Sequence, residues 1–184
     1  DDARSLLQRM FEEKLIRANA VIGIFPANSI NDDDVKVFRN GDRRNAHMVL
    51  HFLRQQMEKR SEQPNRCLAD FIAPEASGAE DFIGAFAVTA GIGAEEAALH
   101  YQQENDDYTS ILLKALADRM AEAFAELMHE RVRREFWGYA PDEDLSNLAL
   151  IREKYQGIRP APGYPACPDH TEKSLLFELL QVPS

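Results

Sequence analysis

From Ala3 to about Ala18, apolar Leu6, Leu7, Met10, Phe11 and Leu15 recur at helical spacing with charged residues between them, which predicts an amphipathic helix. The run A-V-I-G-I-F from Ala20 to Phe25 is short, rich in β-formers and ended by Pro26. Val35 to Arg39 alternates well enough to be its neighbour across the polar N-D-D-D turn, so the two predict an antiparallel pair. His47 to Gln56 has no clean period, and the step into L-R-Q-Q-M-E-K-R favours helix by propensity. Cys67 to Ala73 and Asp81 to Ala90, separated by P-E-A-S-G-A-E, read as two further strands completing a small sheet.

The longest helix is predicted from about Asp107 to Phe136, where Leu112, Leu116, Met120, Ala123 and Leu127 form one apolar stripe. Asp118, Glu122 and His129 fall on roughly the opposite face, free to meet solvent, a ligand or another domain. A short helix should follow from about Leu145 to Tyr155, N-capped by Asp144 or Ser146. Another begins near Thr171, where Asp169 and Glu172 are spaced like a capping box. Strands early and helices late, with no internal repeat and no low-complexity linker, argue for one α+β domain over residues 1–184 rather than a doubly wound parallel sheet.

Composition narrows the partners. With 45% hydrophobic and 28% charged residues in 184, the chain suits one soluble domain with a core. A net charge of -10 and a pI near 5.0 disfavour nucleic acid and anionic membrane. Two cysteines are too few for a disulfide framework, although counting leaves a single bridge open. The N-terminus has no signal-peptide pattern, and the apolar stretch Phe82 to Gly93 is too short to span a bilayer, so the reading is cytoplasmic.

The chemistry gathers between Tyr155 and Lys173, in Y-Q-G-I-R-P-A-P-G-Y-P-A-C-P-D-H-T-E-K. Four of the nine prolines lie between Pro160 and Pro168, which rules out helix and strand; Gly157 and Gly163 allow turns. A stiff loop follows, with carbonyls and remaining N–H groups pointing outward and Arg159, Tyr155 and Tyr164 held on it. It suits a flat, polar, carboxylate-bearing small molecule, since little entropy remains to be lost on binding.

The run Gly157 to Lys173 resembles the signature of the S-adenosylmethionine-binding activation domain of cobalamin-dependent methionine synthase. So do L-R-Q-Q at Leu53, C-L-A-D-F at Cys67, G-A-F-A-V-T at Gly84, K-A-L-A-D-R at Lys114, W-G-Y-A-P at Trp137 and L-S-N at Leu145, which together span nearly the whole chain. The resemblance implies a twisted antiparallel sheet with helices alongside, not a Rossmann-like methyltransferase fold. It implies S-adenosylmethionine as ligand, with Arg159 on its carboxylate, Pro160, Ala161, Gly163 and Tyr164 lining it, and Glu122 near its ammonium or sulfonium charge. Asp118, Glu95, Glu96 and His170 would meet a neighbouring cobalamin-binding domain, where an acidic group can accept from the histidine displaced from cobalt.

The implied function is reactivation: the methyl group of S-adenosylmethionine is presented to a reduced corrinoid, with flavodoxin or a reductase as electron donor. Relative to the family the chain is expected to be shortened at both ends, losing an aspartate and a tyrosine-bearing segment that help hold the ligand. That leaves an alternative, a non-enzymatic docking module for a corrinoid protein. Other chemistries are weaker. Cys167 with His170 and His47 with His51 lack two further ligands for zinc, or for a metal-dependent hydrolase. Glu96 stands where a dinucleotide fingerprint beginning at Gly91 needs glycine, and no serine, histidine and aspartate set can be assigned as a triad.

Overall fold

A computed structural model describes residues 2–39, 42–59 and 63–182. In chain order the elements are α1 (Asp2–Glu12), β1 (Arg17–Ile30), β2 (Asp34–Arg39), β3 (Asp42–His51), β4 (Asp81–Ile92), α2 (Ala94–Gln103), α3 (Asp107–Arg131), α4 (Asn147–Ile151) and α5 (Glu172–Leu180). The strands form one open four-stranded sheet in the order β3-β2-β1-β4, with β1–β2 and β2–β3 antiparallel. The fold is α+β, with helices flanking the sheet and one long helix among them. Two compact units result, Asp1–Val21 with Phe86–Gly138, and Ile22–Ala85 with Tyr139–Ser184.

In the first unit α1 buries Leu6 and Met10. It stops earlier than its periodicity predicts because Lys14 turns to φ 54°, and the N–H of Leu15 closes the end onto the carbonyl of Met10 at 3.1 Å. Gly93, at φ 94°, is the N-cap of α2; a Cβ there would lie 2.8 Å from the carbonyl oxygen of Leu15, so this glycine serves a tight turn. Asp106 caps α3 by accepting the N–H of Thr109 at 3.0 Å. Leu113, Ala117, Ala98, Ala94 and Tyr101 join Leu6 and Met10 in one core, and Leu112, Leu116 and Met120 pack around it.

The predicted stripe therefore holds only over the first half of α3. Beyond it Ala123 and Leu127 are exposed, while Met128, His129, Val132 and Arg133 are buried. His129 was expected on the solvent face and is 4% exposed. Its Nδ1 lies 2.7 Å from Nη1 of the fully buried Arg133. A guanidinium only donates, so Nδ1 accepts and the neutral ring carries its proton on Nε2. The helix then widens into a π turn over Val132–Phe136, where Trp137 N–H reaches the carbonyl of Val132, and the extra residue rotates the buried face.

In the second unit β1 runs through Pro26 rather than ending before it. Its pairing with β2 begins at the next residue, Ala27 opposite Val37, and ends at Ile30 opposite Asp34, so the missing N–H costs no ladder bond to β2. Asn31, at φ 56°, starts the turn that the N-D-D-D run predicts. No helix forms over His47 to Gln56: β3 runs to His51 and the chain continues without helix or strand, with Leu50 and Phe52 buried and Met48 packed on the same core, a period of two that apolar Val49 and Leu53 blur. Each such side chain contributes about 1.5–3 kcal/mol by leaving water.

The segment from Cys67 to Ala73 is likewise not a strand. Leu68–Phe71 forms a 3₁₀ turn, with the N–H of Cys67 donating to Asp70 at 2.9 Å. The chain that follows is stitched to β1 by Asn28 Nδ2 on the carbonyls of Ala73 and Ala79 and by Ser29 Oγ on that of Ile72. Side chains thus add to the backbone bond that joins these segments, from the N–H of Ser29 to the carbonyl of Ala73 at 3.0 Å. Two of the sequence motifs meet here: Arg54, from L-R-Q-Q, grips Asp70, from C-L-A-D-F, through two 2.8 Å bonds, and also binds Asp32.

Arg54→Ala should therefore lower stability by about 1–2 kcal/mol in chemical denaturation, the pair being partly solvated. The Arg54 hydrogen bonds hold Asp70 below the usual carboxylate range. This contribution is complete above the ordinary aspartate value and is lost as pH falls below it.

Candidate functional site

The loop between α4 and α5 carries Arg159, Pro160, Ala161, Gly163 and Tyr164, all in the second unit. It opens after α4, whose N-cap is Ser146, accepting from Ala149 N–H at 3.3 Å; the helix ends at Ile151, short of Tyr155, with Glu153 turned to φ 53°. As the prolines predict, 155–171 contains neither helix nor strand.

The expectation that its remaining N–H groups point outward needs correction. Gly163 N–H donates to the Cys167 carbonyl at 2.8 Å, Tyr164 N–H to that of Ala161 at 3.0 Å, and Cys167 N–H to that of Tyr164 at 2.9 Å. The loop is thus stiffened by its own hydrogen bonds as well as by proline. It is pinned at Cys167, which is buried in the core of the unit, and by the N–H of Leu68 on the carbonyl of Ala166.

On this anchored frame Arg159, Pro160 and Ala161 are half-buried, and Nε of Arg159 is sealed from solvent. Tyr164 presents its ring, 62% exposed. A guanidinium and an exposed aromatic ring on one anchored loop offer a group that can bind a carboxylate and a face that can stack a flat group. Gly163, at φ 104°, lets the ring of His170 lie against the backbone: a Cβ there would be 2.5 Å from its Cε1. His170 is exposed and stays on the loop side of α5.

The Asp169/Glu172 spacing does not work as a capping box. Thr171 holds the N-cap position of α5, Asp169 accepts the N–H of Thr171 at 2.8 Å, and Glu172 turns inward. Glu172 is 3% exposed, accepts from the backbone N–H of His51, and keeps Oε2 inside with no hydrogen-bond partner among the described residues. Burial raises its carboxyl above the ordinary value.

A raised acid favours the fold below its unfolded value and loses that advantage as pH climbs through the folded one. Glu172→Gln keeps an acceptor for His51 and removes the charge. It should match the parent in acid and exceed it by about 1 kcal/mol at neutral pH, as read from denaturation curves at the two pH values.

The acidic candidates lie on the first unit. Glu122 and Asp118 are exposed on α3, and Glu122 pairs with Arg119 at 2.9 Å. Glu95 and Glu96 are exposed in the first turn of α2, Glu95 pairing with Lys114 at 2.9 Å. A groove of about 340 Å³ between α1 and the start of α3 is lined by none of the residues assigned to ligand or corrinoid contact. Among the described residues no group of three or more His, Cys, Asp or Glu side chains could hold a metal ion. Nor is any helix among them long and apolar enough to cross a membrane.

Sequence reasoning missed Glu172 as an inward anchor and the Gly163–His170 contact. The positive φ of Gly163 was signalled by the flanking prolines, but nothing in the sequence says which ring lies on it.

The profile of the family described as "Vitamin B12 dependent methionine synthase, activation domain" matches residues 1–184. Among solved structures, the crystal structure of the MetH reactivation domain bound to AdoHcy is 54% identical over 98% of this chain, with a TM-score of 0.90. This chain spans 55% of the length of that one.

Proposed function

The chain belongs to the vitamin B12-dependent methionine synthase activation domain family, and from that premise we propose that it binds S-adenosylmethionine and aligns the methyl group for reductive reactivation of the synthase. The observation that carries the reading is the loop around Arg159, a half-buried guanidinium on an anchored, proline-stiffened frame, in a chain so similar to a domain solved with AdoHcy.

Arg159 grips the carboxylate of the ligand, Pro160 and Ala161 supply backbone groups for the adenine edge, and Tyr164 lays its ring along it. Gly163 gives the clearance that a side chain would remove. The chemistry asked of these residues is placement: a sulfonium is already a good leaving group, so alignment and exclusion of water suffice. Cobalamin, held by a neighbouring domain, supplies the nucleophile when reduced by flavodoxin or a reductase. Asp118, Glu95 and Glu96, exposed on the first unit, and His170, exposed on the second, are each candidates for contact with that domain. The setting is the cytoplasm.

Calorimetric titration of the chain with S-adenosylmethionine, and separately with S-adenosylhomocysteine, tests this. Saturable binding at one site per chain is expected. Absence of heat from a chain folded by circular dichroism would instead leave a docking module.

A further inference from the structure

The two cysteines of the chain, Cys67 and Cys167, meet in the core of the second unit. Both are buried free thiols. Cys67 precedes the 3₁₀ turn at Leu68–Phe71, and Cys167 lies in the loop that carries Arg159. Their neighbours are joined by one backbone hydrogen bond, from the N–H of Leu68 to the carbonyl of Ala166 at 3.0 Å.

Each cysteine is one residue removed from an end of that bond, on the side toward which the N–H and the carbonyl point, so the bond itself brings the two Cα atoms to within about 6 Å. Such a separation falls within the roughly 4.4–6.8 Å that a disulfide bridges.

Why the pair stays reduced in the packed state follows from its surroundings. The thiol of Cys67 donates to the carbonyl of Phe52 at 3.0 Å. Burial pushes both thiols up, Cys167 to about 11, so neither is a thiolate while the loop is down. An oxidant can reach them only when the loop lifts and Cys167 leaves the core.

We propose that Cys67 and Cys167 are a latent disulfide pair beneath the loop, closed by a small disulfide such as glutathione disulfide when the loop opens, and that closure ties the loop to the 3₁₀ turn. One cysteine, having lost its proton, attacks glutathione disulfide; its S–S bond breaks and one glutathione thiolate leaves and takes up a proton. The second cysteine attacks the mixed disulfide and releases the other glutathione in the same way. Two protein thiols are oxidised, and one glutathione disulfide is reduced to two thiols.

The test uses the whole chain, without S-adenosylmethionine, so that its outcome is independent of the ligand reading. The protein is incubated with glutathione disulfide in mildly alkaline buffer, quenched in acid, alkylated and mapped by mass spectrometry. The expected product is a chain lighter by two hydrogens, with the Cys67 and Cys167 peptides joined and separated again by dithiothreitol. Cys67→Ser and Cys167→Ser should each stop at the glutathione adduct. If the folded parent gives only glutathione adducts, or keeps both thiols while the urea-unfolded chain oxidises, the pair is not so placed and the proposal fails.

Discussion

Arg159→Ala is expected to weaken S-adenosylmethionine binding by about 2–4 kcal/mol, roughly 30- to 1,000-fold, in calorimetric titration. The estimate rests on one partner of a charge-assisted pair being removed while the carboxylate of the ligand still has to leave water. Arg159→Lys should recover only part of the loss, because an ammonium keeps the charge but not the planar fork. Since the side chain is half-buried, its truncation also touches the fold, so the thermal midpoint must be measured beside the affinity. Unchanged affinity in a folded Arg159→Ala protein would remove this residue from the site and with it the proposed grip.

What could be read from the sequence depended on whether the cause was local. α1, β2 with the turn before it, β4 and the extent of the long helix announce themselves through spacing, turn residues and caps, each acting over a few positions, whereas the part of β1 that pairs with β2 lies beyond Pro26, where the strand was expected to end. The loop was legible for the same reason: proline and glycine restrict the backbone wherever they stand. β3 was not, because Met48, Leu50 and Phe52 are interleaved with Val49 and Leu53, which are apolar too and blur the period of two, and only pairing with β2 decides the conformation.

Long-range pairings were invisible from spacing alone. Arg54 finds Asp70 and Glu172 finds the end of β3. The motifs that carried the resemblance therefore divide by task. L-R-Q-Q and C-L-A-D-F hold the second unit together around Arg54, whereas the proline loop holds the groups proposed to meet the ligand.

Gly163→Ala probes that division from the loop side, and two costs must be separated. The φ of 104° lies beyond even the left-handed helical well, so an alanine is strained there by about 1–3 kcal/mol whatever surrounds it. The new methyl would also meet the ring of His170, but that ring belongs to an exposed side chain and can swing away, leaving φ as the floor. A loss of about 2 kcal/mol in stability is expected, together with at least about tenfold weaker S-adenosylmethionine binding, because relieving φ moves the backbone between Arg159 and Tyr164. Adding His170→Ala removes the collision and not the strain, so it should restore less than half of either loss. If the double variant regains full affinity, ring contact and not backbone geometry governs the loop. If Gly163→Ala alone binds like the parent, the shape of this turn has no part in the site.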